Sequence, residues 1–161
     1  MASGKSSLGI QLADSLNLDF IDLDQAIEAN EQMTVSEVFK KKGELYFRKK
    51  EGELLNAILD GDSFVLSTGG GTPCYGMNME HILSKSTHSF YLKLSIGELV
   101  ERISSASETR PLVKNLSKEE LPEFVGKHLF ERSFFYTQAK HTLNCDKKRV
   151  GDVVNEIKEL L

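Results

Sequence analysis

An α/β fold, with a parallel β-sheet between two layers of helices, is predicted by three observations on the 161 residues. Short β-rich runs alternate with amphipathic helical stretches, nothing repeats at a fixed period, and no Gly, Ser or Pro tract divides the chain. Strands separated by helices of this length need right-handed crossovers, which make neighbouring strands parallel. Such sheets bind ligands beyond the carboxyl ends of their strands, so chemistry-bearing residues are expected at that edge of one domain spanning residues 1–161.

The elements follow in order. Leu8, Ile10, Leu12, Ala13 and Leu16 fall mostly on one helical face between Ser6 and Leu16, and Asn17–Asp19 breaks the pattern. Phe20–Leu23 reads as a strand. Helices are expected over Val35–Phe39 and Phe47–Leu59, on either side of a break at Lys42-Gly43. Ser63–Ser67 is β-rich and is stopped by Thr68-Gly69-Gly70-Gly71; a helix near Asn78–Leu83 separates it from a second β-rich run, Ser89–Leu94. A helix over Ile96–Ser105, a polar stretch from Ser107 to Lys118, a helix reaching about Ala139, a weak strand at Thr142–Cys145 and a last helix from Val150 complete the chain.

Composition narrows the function. At 40% hydrophobic and 27% charged the chain is globular, and its net charge of −4 supplies no general positive field for nucleic acid or anionic lipid. No apolar run approaches the roughly 20 residues that cross a bilayer, and Met1–Lys5 lacks the apolar centre of a signal peptide, so a cytoplasmic protein is expected. Cys74 and Cys145 form no CxxC pair, and His81, His88, His128 and His141 have no metal-ligand spacing. Both cysteines are read as reduced and incidental.

Ser3-Gly4-Lys5-Ser6-Ser7 opens the first helix with the second half of a phosphate-binding loop, or P-loop. Free N–H groups at a helix start point at phosphate, the helix dipole favours anions there, Lys5 can reach the outer phosphates, and the Ser6 hydroxyl can ligate Mg²⁺. The strand that normally enters this loop, and the loop's first glycine, would lie upstream of Met1, so the motif is expected to be met midway.

Together, Ser3-Gly4-Lys5-Ser6, Phe20-Ile21-Asp22-Leu23-Asp24, Gly43-Glu44 with Phe47-Arg48 and Glu51, Thr68-Gly69-Gly70-Gly71, Arg110-Pro111-Leu112, and Glu131-Arg132 with Tyr136 resemble the shikimate kinase family in order and spacing. The resemblance implies a P-loop three-layer fold with five parallel strands, the first missing or truncated here. It also implies transfer of the γ-phosphoryl group of ATP, with Mg²⁺, to the 3-hydroxyl of shikimate in aromatic amino-acid biosynthesis. Shikimate is then the partner, with no nucleic acid and no membrane, and a monomer is expected.

Each constellation has a chemical rationale. Asp22 and Asp24 stand two apart at a strand end, where an extended Asp24 would share a side with Asp22; Asp24 alone reads equally well as a helix N-cap. By the resemblance, Asp22 serves Mg²⁺ through water and Asp24 orients the shikimate hydroxyl, within a substrate-binding region of about 24–60. Arg48 and Glu51, three apart on a helix, let the carboxylate orient a guanidinium that can grip an anion bidentately, and the family pattern adds Arg132 on the other side. Gly69, Gly70 and Gly71 allow close backbone approach to a polyol. Phe39 and Phe47 are candidates for an apolar wall. The stretch of about 107–118 reads as a lid carrying Arg110 over the phosphates, and Arg102 resembles a residue packed near adenine. Two other readings stay open: a catalytically silent shikimate binder, and a P-loop kinase for another small molecule.

Overall fold

The computed structural model of the protein describes residues 3–105, 117 and 119–161. Helix α1 (Lys5–Leu16) leads to strand β1 (Asp19–Asp22), helix α2 (Leu23–Glu31) and the long helix α3 (Val35–Leu59). Strand β2 (Phe64–Ser67) is followed by a 3-10 turn at Thr72–Cys74 and helix α4 (Asn78–Lys85). Strand β3 (Phe90–Lys93), helices α5 (Ile96–Ser105) and α6 (Glu120–Tyr136), strand β4 (His141–Asn144) and helix α7 (Val150–Lys158) complete the order.

Local chemistry accounts for the boundaries. Gly4, at φ 79°, turns the chain into α1, and Asn17, at φ 53°, closes that helix in the left-handed region that asparagine tolerates. Thr34 and Glu37 form a reciprocal capping box at the start of α3. The predicted break at Lys42-Gly43 is present: Gly43 sits at φ 83°, ψ 168° and joins two helical segments across a kink. The expected strand Phe20–Leu23 is displaced by one residue. Leu23 is fully buried as the first residue of α2 and packs with Ile27, Val38 and Leu55, so the chain turns helical directly after Asp22.

The strands pair in two parallel halves. Asp19–Asp22 runs beside Phe64–Ser67, and Phe90–Lys93 runs beside His141–Asn144. Among the described residues the strands thus form two two-stranded parallel sheets. A cavity of about 820 Å³ is lined by Leu8, Leu12, Val65, Phe90 and Leu92 among others, and also by Lys5, Gly69, Gly70 and Arg132.

Two cores hold the halves. Leu8 and Leu12 of α1 pack with Leu99, Val125, Val153 and Ile157 from α5, α6 and α7 beside β3 and β4. Leu23, Ile27, Val38, Phe47 and Leu55 form the second core, under β1 and β2. Gly9 lets α1 press onto β1: a methyl group there would stand 2.4 Å from Phe20 Cε2.

Candidate active site

The carboxyl ends of β1 and β2 carry the site. In the Ser3–Ser7 segment, the N-cap Gly4 makes no side-chain cap bond to the first turn of α1 and that turn holds no acidic residue of its own, so its N–H groups stay open to an anion among the described residues. Ser6 Oγ donates to Asp22 Oδ2 at 2.9 Å. Ser7 lies exposed on the same turn. Arg102 reaches in from α5, held by Glu98 at 2.9 Å, and its Nη1 donates to the Ser3 carbonyl at 3.4 Å. A helix start with a lysine, and a serine hydroxyl beside a carboxylate, is a donor set that suits a Mg²⁺-bound nucleoside triphosphate.

Asp24 corrects one expectation. It is not extended after Asp22 but lies in the first turn of α2, and the N-cap is Asp22, whose Oδ1 accepts from the backbone N–H of Asp24 at 3.0 Å and of Gln25 at 3.4 Å. Strand alternation therefore does not align the two carboxylates; the helix start does. Burial pushes the Asp24 carboxyl above its ordinary value, Lys5 pulls it back, and Asp22, Glu51 and Glu28 push it further up.

Arg48 lies across the site on α3. Its Nη1 donates to Glu51 Oε2 at 2.9 Å, and its guanidinium stacks 3.8 Å from the Tyr75 ring centroid, with the Phe47 ring at 5.1 Å and Phe39 at 5.8 Å. Burial works against the Arg48 charge, but Glu51 outweighs it and leaves the group more firmly protonated than usual. Arg48 Nε is buried without a hydrogen-bond partner among the described residues. The expected apolar wall, Phe39 and Phe47, is a ring pair at 4.4 Å lying against this guanidinium, with Phe47 also in the core.

The glycine loop joins both sides. A methyl group at Gly69 would stand 3.1 Å from Asp24 Oδ1, and one at Gly71 would stand 2.9 Å from Arg48 Nη2. From α6, Tyr136 donates its hydroxyl to the Gly70 carbonyl at 2.6 Å. Burial raises the Tyr136 hydroxyl, and Arg132 opposes that rise. Burial raises the Cys74 thiol, and the charges of Arg132 and Arg48 oppose that rise. Cys74, read as incidental, is partly buried, while Cys145 is buried.

Of the expected site residues, Ser3, Lys5, Gly69, Gly70 and Arg132 line one cavity. Around it Ser6 bonds Asp22, Gly69 approaches Asp24, Gly71 approaches Arg48, and Arg102 lies against Gly4 and the Ser3 carbonyl, while Asp22, Asp24 and Arg48 do not themselves line that cavity. Arg110 lies outside the described residues, as does the predicted lid of about 107–118 apart from Ser117. Sequence reasoning missed Thr72, Tyr75 and Asn78. Nothing in their spacing marks them: Thr72 and Tyr75 act through Glu51 and Arg48, far along the chain, and Asn78 acts through the backbone of Thr72.

Parallel strands, a Gly-Lys-Ser helix start and a strand-end carboxylate on its serine define the P-loop phosphotransferases. The family model for shikimate kinase matches residues 1–161. The chain is 47% identical over 162 residues to a shikimate kinase of Flavobacterium psychrophilum, covering 100% of this chain and 94% of that protein. Its structure is similar to a shikimate kinase crystal structure from Bacteroides thetaiotaomicron, with a TM-score of 0.93, 35% identity and coverage of 99% and 93% of the two chains. It is also similar to a shikimate kinase from Acinetobacter baumannii in complex with shikimate, with a TM-score of 0.88, 28% identity and coverage of 99% and 87%. The chain belongs to the shikimate kinase family and is an ATP-dependent kinase. Neither the silent binder nor a kinase for another small molecule gains support from these similarities.

Proposed function

We propose that this chain transfers the γ-phosphoryl group of ATP to the 3-hydroxyl of shikimate, giving shikimate 3-phosphate and ADP on the route to chorismate and the aromatic amino acids. The observation that supports it most is the span of the glycine loop. Within three residues it approaches Asp24, beside Lys5, and Arg48, the anion grip. One loop therefore relates the acceptor-orienting carboxylate to the site for the substrate's own carboxylate.

The roles follow from charge and position. Ser3, Gly4, Lys5, Ser6 and Ser7 hold the phosphates, Arg102 lies beside the nucleotide, and Ser6 and Asp22 serve Mg²⁺, which when bound neutralises phosphate charge. Arg48 and Arg132 grip the shikimate carboxylate from two sides, and the Gly69–Gly71 backbone meets its hydroxyls. Asp24 orients the 3-hydroxyl and can take its proton; burial raises its carboxyl and so strengthens it as a base, while the nearby Lys5 ammonium opposes that rise. Lys5 and Arg110 stabilise charge on the transferred group. The chain works as a single-domain monomer in the cytoplasm, without nucleic acid or membrane as partner; no helix among the described residues is long and apolar enough to cross a bilayer.

Coupled ADP release from MgATP, with and without shikimate, tests the reading. Release that depends on shikimate is expected; release indifferent to shikimate, or none with it, contradicts the reading.

A further inference from the structure

We propose that Thr72 is a positioning residue for the substrate carboxylate: by occupying one oxygen of Glu51, its hydroxyl fixes the other oxygen where it aligns Arg48. The inference rests on the reading of Arg48 as part of the shikimate grip.

Thr72 Oγ1 donates to Glu51 Oε1 at 2.7 Å, while Glu51 Oε2 accepts from Arg48 Nη1 at 2.9 Å. Glu51 is 1% exposed and Thr72 is wholly buried. A buried carboxylate needs more than one donor, and the last torsion of a glutamate is broad, so Arg48 alone would leave the group free to turn. The threonine hydroxyl removes that freedom.

Thr72 is itself anchored at both backbone groups. Its N–H donates to the Gly69 carbonyl at 3.1 Å, and its carbonyl accepts from Asn78 Nδ2 at 2.9 Å. Asn78 opens α4 and is 4% exposed. A continuous path therefore runs from α4 through Thr72 to Glu51 on α3, and from there to the Arg48 guanidinium beside Gly71. Having no exposed surface, Thr72 reaches substrate only through this path.

The test compares Thr72→Val, which keeps the shape and deletes the donor, with Thr72→Ser, which keeps the donor. In the full chain, T72V is expected to raise the KM for shikimate about tenfold, while the KM for ATP and the kcat at saturation stay within about twofold. T72S should restore the wild-type KM. Where T72V is not recovered folded, Thr72→Cys replaces it, since a thiol is a weak donor of similar size, and the same direction is expected. Glu51→Gln combined with T72V should cost less than the two changes summed, because both act on one carboxylate. A lowered melting temperature with the shikimate KM unmoved, or both KM values raised alike, overturns the proposal. A wild-type chain that does not phosphorylate shikimate overturns instead the reading beneath it.

Discussion

Ser6 Oγ and Asp22 Oδ2 stand 2.9 Å apart, joining the first turn of α1 to the end of β1. Hydroxyl and carboxylate oxygens are the hard ligands Mg²⁺ prefers, and the same Asp22 caps α2 through Oδ1. The two duties can be separated. Asp22→Asn keeps an oxygen for the cap, whereas Asp22→Ala removes both and should cost the fold a further ~1 kcal/mol. D22N is expected to retain the wild-type melting temperature within a few degrees while raising the Mg²⁺ concentration needed for half-maximal turnover several-fold. An unchanged Mg²⁺ requirement contradicts the metal role.

Gly71 and Gly9 yield opposite outcomes from the same substitution. At Gly71 the backbone is right-handed helical, φ −86°, ψ −24°, so alanine fits it, but the methyl group meets Arg48 Nη2 at 2.9 Å, the far end of a flexible side chain. Gly71→Ala should raise the shikimate KM with little loss of stability. Gly9→Ala drives a methyl group to 2.4 Å from the Phe20 ring inside the fold and should cost about 1–3 kcal/mol. Steady-state kinetics and thermal melts read both; a stability loss at Gly71 with no change in KM reverses the assignment.

Folding works against the charged form of Asp24. Its carboxyl titrates above the ordinary 3.8, burial being the largest cause and the opposing pull of Lys5 the next. The protonated form is therefore favoured by folding. That stabilisation is complete below the unfolded value and is lost as pH rises through the folded one. Asp24→Asn in the ligand-free, metal-free protein should then melt at a higher temperature than wild type at pH 7, with the difference shrinking towards acid, while turnover collapses. A lower melting temperature at pH 7 goes against this account.

The chain's alternation, its helix limits at Ile96–Ser105 and its break at Gly43 were legible because periodicity and glycine act locally. The grouping of Lys5, Asp24, Arg48 and Arg132 was legible only as a resemblance, since those positions come from α1, α2, α3 and α6 and no local rule joins them. Asp24 shows the limit of a local rule: alternation would extend the strand past Asp22, but burial of Leu23 in the second core starts the helix first. Thr72, Asn78 and Tyr75 carried no signal. A buried threonine in a glycine turn, an asparagine at a helix start and a tyrosine beside a glycine all read as ordinary turn chemistry; Glu51 and Arg48, the partners of Thr72 and Tyr75, lie more than one element away, and Asn78 is tied in only through the Thr72 backbone. Which strands pair is likewise not specified by alternation alone.

Equilibrium binding of shikimate and of MgADP to Arg132→Ala, measured by calorimetry beside the wild type, bears most directly on the claim that separate cations converge on one substrate anion. Arg132 lines the same cavity as Gly69 and Gly70, whose carbonyl accepts from the Tyr136 hydroxyl four residues further along α6. Loss of one charge-assisted grip should weaken shikimate by about 2 kcal/mol, roughly thirtyfold, and leave MgADP within a factor of about two. Equal weakening of both ligands, or shikimate bound as tightly as before, would contradict the account.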